Sequence, residues 1–210
     1  MRGNQRLKRT SMFIDGFNLY HGMKAISGRA YLWLDLESLA LSLIKPQQQV
    51  LISVLYFTAM IRDDPEALKR QDTYLSALEA FCPRVEVVRG TFQRRKIRCD
   101  SCQNRRVSYE EKETDVSLAV RLVEGAANRD FDTAVLLSGD SDFVPAVAAA
   151  KRLHPSLRVV AVFPPKRVSD ALRRVADANF VLGRARISQN QLPFAVQSTR
   201  GPLLRPDHWN

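Results

Sequence analysis

Apolar residues along this chain form five short runs, separated by longer stretches in which apolar and polar residues alternate at helical spacing. The runs are rich in β-branched and aromatic residues and are bounded by turn-forming residues, which is typical of buried parallel strands. The predicted strands cover residues 11–15, 51–60, 85–90, 133–139 and 157–163.

The stretches between these runs predict helices. Asp35, Thr114 and Ser169 stand where helix N-caps are expected, and apolar residues recur every three or four positions after them. Because strands and helices alternate five times, we predict an α/β fold with a mostly parallel sheet covered on both faces. The predicted helices cover residues 35–44, 66–81, 114–127, 142–153 and 169–178.

Two segments depart from this alternation. Residues 91–111 alternate basic and apolar positions around Cys99 and Cys102, which predicts a β-hairpin insertion. Residues 184–210 contain three of the ten prolines and little periodicity, so we predict a tail that lies on the surface or is disordered. The predicted organisation is one domain over residues 11–187 and a C-terminal tail over residues 188–210.

Charge and composition narrow the range of partners. The 210 residues, 45% of them hydrophobic, suffice for one sizeable core. The formal net charge of +10 gives a pI of about 9.9, which favours a polyanionic partner such as nucleic acid. A basic surface that only aids solubility is the alternative.

The sequence also bears on the cellular compartment. The first apolar stretch is broken at once by Asp15 and Asn18, so we expect no signal peptide. No run approaches the roughly 18 apolar residues of a membrane span, and three cysteines do not make a disulfide framework. We expect a cytoplasmic protein without a membrane partner, and the sequence leaves open whether it forms a homodimer.

Four carboxylates stand at strand ends or first helical turns. Asp15 ends the first predicted strand, Asp140 and Asp142 follow the fourth, and Asp115 lies in the first turn of its helix. Ligands of parallel sheets bind at the carboxyl ends of the strands, so these side chains are expected to meet at one edge. Close like charges raise one another's pKa unless a cation neutralises them. An all-oxygen cluster suits Mg²⁺ rather than Zn²⁺.

Each of these acids also has a simpler interpretation. Asp15 precedes a glycine, as in an ordinary turn, and Asp142 would suit the positive end of a helix. Because all four fall on the same predicted edge, we favour a metal site. Such a metal would activate water for attack on a phosphodiester.

Four blocks of the sequence, taken in order, resemble the NYN domain family, which is close to the PIN-domain nucleases, and within it the bacterial LabA-like branch. The resemblance extends over residues 11–187. It implies a PIN-like (Rossmann-like) three-layer sandwich with strand order 3-2-1-4-5, and metal-dependent endoribonuclease activity with Mg²⁺ or Mn²⁺. The blocks are FIDGFNLY, EKETDVSLAVRLV, DTAVLLSGDSDFVPAV and VVAVFPPKRVSDALRRVADANFVLGRA.

The resemblance assigns roles to the residues of these blocks. It implies that Asp15, Asp115 and Asp140 are the first-choice metal ligands, directly or through water. Asp142 is expected to complete the site or to position the attacking water. Asn18 is expected to hydrogen-bond a phosphate or a ligand carboxylate.

Four further residues are expected near this edge. Ser138 and Ser141 are predicted to support the site, with plain turn and cap roles as the alternative. Lys166 and Arg167 follow the fifth strand and are predicted to hold the phosphate backbone of RNA, with an ordinary solvated loop as the alternative.

The predicted hairpin is also suited to RNA. Its aromatic residues Phe92 and Tyr109 are candidates for stacking on bases, although such residues more often pack a hairpin onto its domain. Six basic residues crowd the same segment, a density that favours an anionic partner. These residues are Arg94, Arg95, Lys96, Arg98, Arg105 and Arg106.

Cys99 and Cys102 resemble half of a zinc ribbon and form a candidate second metal site, but no nearby histidine completes four ligands. Zinc shared between two chains, a redox pair and a plain turn all remain open. His21 follows the first block, either as a substrate contact or as an ordinary residue on a helix surface.

Three other functions compete with the nuclease. A haloacid-dehalogenase-type phosphatase needs an acid-base aspartate two residues after the nucleophilic aspartate. Two residues after Asp15 the chain has Phe17 instead. An NADH-dependent monooxygenase that hydroxylates a pyridine-type ring, the activity described for relatives of this branch, lacks support from any G-x-G-x-x-G motif. A non-catalytic RNA- or protein-binding module would do better without the four carboxylates.

Overall fold

A computed structural model describes residues 6–62, 64–98 and 105–209, and for residues 91–98 and 105–112 it describes the backbone only. The strands are β1 (Lys8–Asp15), β2 (Gln49–Ala59), β3 (Val85–Arg98), β4 (Arg105–Lys112), β5 (Thr133–Leu137), β6 (Arg158–Phe163), β7 (Ala178–Val181), β8 (Ala195–Ser198) and β9 (Gly201–Leu204). The helices are α1 (Gly16–Ser27), α2 (Leu36–Leu43), α3 (Pro65–Phe81), α4 (Thr114–Ala127), α5 (Val144–Leu153), α6 (Asp170–Val175) and α7 (Arg184–Gln189). Two short 3-10 helices cover Ser141–Phe143 and Asp207–Trp209.

The main sheet has the strand order β4-β3-β2-β1-β5-β6-β7. Every neighbouring pair is parallel except β3 and β4. The predicted order 3-2-1-4-5 is confirmed for the five predicted strands, which are β3, β2, β1, β5 and β6. The prediction of only five parallel strands is wrong, because β7 adds a sixth outside β6.

The missed strand lies where we predicted the end of a helix over residues 169–178. Ser169 does cap a helix, but that helix is only six residues long. The Asp177 N–H then donates to the Val159 carbonyl, and the Asp177 carboxylate accepts from the Val159 N–H, both at 2.8 Å. These two bonds fasten the chain to the edge of β6, so the next four residues extend the sheet.

An antiparallel hairpin is present in the segment where we predicted one. β3 pairs with β2 over residues 85–90 and then continues beyond the sheet, where residues 91–98 pair with β4. The predicted zinc ligands Cys99 and Cys102 lie outside the described residues, so their role stays a prediction.

Helices cover both faces of the sheet. Side chains alternate between the two faces along a strand, and Met12 and Ile14 of β1 accordingly pack in one buried cluster while Phe13 packs in the other. The first cluster contains residues of α1, α2, α3 and α7, and the second contains residues of α4, α5 and α6. The predicted three-layer arrangement therefore follows from the pattern of burial.

The C-terminal segment is not the surface or disordered tail that we predicted over residues 184–210. It forms α7 and the antiparallel hairpin β8–β9, and Leu192, Val196 and Trp209 are buried in the cluster beneath α1–α3. Burial here depends on partners that are distant in sequence, which no local periodicity reveals.

We predicted no membrane-spanning segment. Among the residues that the structure describes, no helix combines the length and the apolar character that crossing a bilayer requires.

Candidate functional site

A cavity of about 890 Å³ opens at the carboxyl ends of β1 and β2 and at the start of α4. Its walls include Asp15 at the end of β1, Asp115 in the first turn of α4 and Asp140 just after β5. Three of the four predicted carboxylates therefore line one cavity, although they come from distant parts of the chain.

Asp15 is the most buried of these acids, with 5% of its surface exposed. It caps α1, because its Oδ1 accepts a hydrogen bond from the Asn18 N–H at 2.9 Å. Its Oδ2 accepts from Asn18 Nδ2 at 2.6 Å and from Ser138 Oγ at 2.8 Å. Two predicted supporting residues, Asn18 and Ser138, thus hold the carboxylate in a fixed orientation.

The electrostatic state of Asp15 follows from this setting. Burial raises the pKa of its carboxyl group, and the nearby charge of Asp140 adds to the effect, while hydrogen bonds from Asn18 and Ser138 oppose it. A nearby cation would favour the ionised form. Bound positive charge would therefore stabilise the ionised form of Asp15.

Ser138 links the two strand ends. Its buried hydroxyl donates to Asp15 and accepts from the Asp140 N–H at 3.0 Å. Asp140 in turn caps the short 3-10 helix, since its Oδ1 accepts from the Asp142 N–H at 2.9 Å.

The turn containing Gly139 packs closely against the loop after β6. A Cβ atom at Gly139 would lie 2.5 Å from the carbonyl oxygen of Arg167, so only glycine fits without a shift of backbone. The Arg167 side chain lines the cavity, and its Nη1 lies 3.5 Å from Asn18 Oδ1. Arg167 is therefore positioned, as predicted, beside the carboxylates.

The start of α4 has an unusual backbone conformation. Glu113 occupies the N-cap position with φ of 78° and makes no side-chain capping bond. Thr114, which we predicted as the cap, is instead the first residue of the helix. Asp115, two residues after this left-handed position, is exposed and lines the cavity.

Three predicted site residues lie elsewhere. Asp142 is exposed and lines an open groove between α4 and α5 instead of the cavity. Ser141 and Lys166 are exposed and are not among the cavity walls.

The sequence interpretation missed most of the cavity wall. The acids were conspicuous because of their positions at strand ends. The aromatic and basic walls come from α1 and the turn after it, from β2 and α3, and from the C-terminal 3-10 helix. The position of Phe17, two residues after Asp15, was the available sequence signal that it belongs to the cavity wall. The missed wall residues include Phe17, Tyr20, Arg29, Tyr56, Arg70, Tyr74 and Trp209.

The donor groups at this edge of the sheet are carboxylate oxygens. In the part of the chain that the structure describes, no three His, Cys, Asp or Glu side chains are close enough to form a ready-made metal cage. Mg²⁺ keeps several waters and requires only one or two carboxylates. Asp15 and Asp140 line one cavity and supply only oxygen donors, which suit such a hydrated ion better than zinc.

The chain belongs to the NYN domain family, whose pattern matches residues 9–183. Membership of this family indicates a PIN-like nuclease.

Two particular proteins are similar to this one. 6-hydroxy-3-succinoylpyridine 3-monooxygenase HspA of Pseudomonas putida (strain DSM 28022 / S16) is 26% identical over 244 residues, covering 96% of this chain and 75% of that protein. The crystal structure of VPA0982, a protein of unknown function from Vibrio parahaemolyticus RIMD 2210633, matches with a TM-score of 0.60 at 19% identity. The match covers 91% of this chain and 100% of that chain. The second similarity supports the fold alone.

Proposed function

We propose that this protein is a metal-dependent endoribonuclease that hydrolyses phosphodiester bonds of RNA. The observation that carries the proposal is the arrangement of Asp15 and Asp140, whose positions are linked through the Ser138 hydroxyl at the rim of one cavity. This arrangement occurs in a chain of the NYN domain family, for which nuclease chemistry is the expected activity.

The residues of the site have distinct roles in this proposal. Asp15 and Asp140 would hold Mg²⁺ or Mn²⁺, and Asp115 would contribute directly or through water. A bound ion of this kind would lower the pKa of a coordinated water and offset the charge that develops on the leaving oxygen. Asn18 and Ser138 fix the orientation of Asp15.

Basic residues near the cavity would bind the substrate backbone. Arg167 lines the carboxylate end, and Arg29 and Arg70 line the wall formed by α3 and the turn after α1. The net charge of +10 favours a polyanion over a neutral metabolite. RNA is therefore the proposed partner, with Lys166 as an additional contact from the loop.

A second candidate is an NADH-dependent monooxygenase that acts on a pyridine-type ring. It is favoured by the similarity to the Pseudomonas putida monooxygenase over nearly the whole chain. A cavity of about 890 Å³ with aromatic walls also lies within the ordinary range for small-molecule sites. The chain has no G-x-G-x-x-G motif for a dinucleotide, so we rank this candidate second.

An assay on purified protein distinguishes these functions. We expect labelled RNA to be cut in the presence of Mg²⁺ or Mn²⁺ and to stay intact with EDTA. Asp15→Asn and Asp140→Asn should each lower the rate by at least roughly 100-fold, the scale of losing one group that stabilises a transition state. The matched control is Asp170→Asn on α6, where 77% of the side chain is exposed, and its activity should equal that of the wild type.

The outcomes separate the proposals. RNA that is bound but never cut with any divalent metal would replace the nuclease with a binding module. Consumption of NADH that depends on 6-hydroxy-3-succinoylpyridine, without RNA cleavage, would support the monooxygenase.

A further inference from the structure

An aromatic pair stands at the wall of the cavity beside the carboxylates. The rings of Phe17 and His21 have centroids 4.3 Å apart and an interplanar angle of 58°. Both residues line the cavity, and 54% of the Phe17 surface is exposed. More than half of this apolar residue is therefore available for contact with a bound molecule.

The helix that carries the pair is anchored next to Asp15. Phe17 and His21 are four residues apart on α1, so they lie on the same side of the helix. The helix begins at the Asp15 cap, and it packs closely against β2 and against the loop after β6. A Cβ at Gly16 would lie 2.5 Å from the Phe57 carbonyl oxygen, and one at Gly22 would lie 2.6 Å from Pro164 Cβ. A group that stacks on Phe17 would therefore lie in the cavity that Asp15 and Asp140 also line.

The surroundings of the pair favour an uncharged ring with a neighbouring anion. Burial lowers the pKa of His21, and the charges of Arg167 and Lys24 lower it further, which favours the neutral imidazole at pH 7. Arg167 lies on the same cavity wall as the pair, and Lys24 lies one turn further along α1. Aromatic side chains combined with basic residues are the pattern with which proteins bind unpaired bases of nucleic acids.

We propose that Phe17 and His21 form a stacking platform for a nucleobase adjacent to the scissile phosphate. The inference rests on the proposed function and adds the side chains that position the substrate. A base within a duplex already has both faces covered by its neighbours, so the platform selects unstacked nucleotides. Stacking uses the π-face that all bases share, so we expect the platform to accept any of the four bases.

Substitutions of Phe17 test the platform. Stacking of one base is worth roughly tenfold or more in affinity, so Phe17→Ala should raise both the Kd and the KM for single-stranded RNA about tenfold. The kcat should change little, because Phe17 is not proposed to touch the reacting atoms. Phe17→Trp keeps a ring for stacking, so its Kd and KM should match those of the wild type. The matched control is Phe81→Ala at the end of α3, where 46% of the residue is exposed outside the cavity, and both constants should match those of the wild type.

Two measurements on the whole chain decide the result. Fluorescence anisotropy with a labelled single-stranded RNA and its duplex, in EDTA, gives the Kd without cleavage. Steady-state cleavage with RNA in excess, in Mg²⁺ or Mn²⁺, gives the KM and kcat. Circular dichroism should show that Phe17→Ala is folded, because the side chain is more than half exposed.

Each outcome is informative. A loss of single-strand binding for Phe17→Ala that Phe17→Trp restores, with little effect on the duplex, supports the platform. If the wild type cuts RNA and Phe17→Ala leaves the Kd and KM within about twofold of the wild type, the platform is overturned and the nuclease stands. An equal loss on single strand and duplex also overturns it. If the wild type shows Phe17-dependent binding without cleavage under any metal, the nuclease fails, and only the stacking of a base on Phe17 remains. Absence of RNA binding overturns both.

Discussion

At the residue scale, the candidate site depends on the turn that follows β5. The fully buried Ser138 hydroxyl connects Asp15 to the Asp140 backbone, and Gly139 lets this turn approach the carbonyl of Arg167. The turn therefore sets the spacing between a carboxylate from β1, a carboxylate after β5 and the proposed phosphate-binding arginine. A small displacement of the turn would change the relative positions of these three side chains.

Gly139→Ala tests this dependence. The added methyl group would lie 2.5 Å from the Arg167 carbonyl oxygen, and the backbone must shift to relieve the overlap. We expect the free energy of unfolding to fall by about 1–3 kcal/mol and RNA cleavage to fall by at least roughly tenfold. Urea denaturation and a cleavage assay measure the two effects.

Gly183→Ala provides the matched control, because nothing lies within 4 Å of its added Cβ and its φ of −81° suits alanine. We expect wild-type stability and activity. Equal effects at the two glycines would contradict the account of the turn.

Residue identity in the sequence predicted part of the site. Asp15, Asp115 and Asp140 were predictable because they follow strands or begin a helix at one edge of the sheet. Asp142 was not, because Asp140 caps a 3-10 helix, in which three residues complete a turn. The side chain of Asp142, two residues after Asp140, therefore lies at the groove between α4 and α5.

At the element scale, the long apolar runs were predictable because a buried parallel strand is apolar along its whole length. The four-residue strand β7 and the C-terminal segment were not predictable. Their structure depends on distant partners, such as Val159 for Asp177 and Pro193, whose carbonyl accepts from Trp33 Nε1 at 2.8 Å. The missed elements therefore share a dependence on tertiary contacts.

Trp209→Ala tests the contribution of the C-terminal segment. Trp209 is 8% exposed, and its ring lies 5.8 Å from that of Tyr74 and 6.2 Å from that of Trp33. Truncation of a buried tryptophan should lower the free energy of unfolding by about 3 kcal/mol, as measured in urea. Phe194→Ala, at a residue 58% exposed, should cost at most about 1 kcal/mol. A surface tail would give similar small losses at both positions.

A second element-scale prediction concerns Asp132, which ties the loop before β5 to the start of β1. Its Oδ2 accepts from the Arg9 N–H at 2.8 Å, and Arg9 Nη2 lies 3.2 Å from its Oδ1. The hydrogen bonds and charge of Arg9 hold the pKa of Asp132 below its ordinary value of 3.8. Because the pKa is lower in the folded state, the stabilisation is present above pH 4 and is lost as the pH falls through the folded-state pKa.

Asp132→Asn should therefore cost up to about 1 kcal/mol at pH 7, as is usual for a partly exposed pair. The difference from the wild type should shrink below about pH 4. Unfolding curves between pH 7 and pH 2 measure it. A difference that grows on acidification would show that the sign of the pKa shift is wrong.

At the scale of the whole molecule, charge distinguishes the two candidate activities. The chain carries 32 Lys and Arg against 22 Asp and Glu, and contacts with RNA phosphates release counterions. We expect the Kd for single-stranded RNA to rise by about tenfold or more between 50 and 200 mM salt. Anisotropy titrations at several salt concentrations test this, and a change below about twofold would contradict the binding of a phosphate backbone.

The central claim is that acids from β1 and from the turn after β5 hold one divalent ion. Electron paramagnetic resonance of free Mn²⁺ during a titration with protein tests it most directly. The account predicts a saturable site in the wild type that is lost or greatly weakened in both Asp15→Asn and Asp140→Asn. Equal Mn²⁺ binding by all three proteins would contradict it.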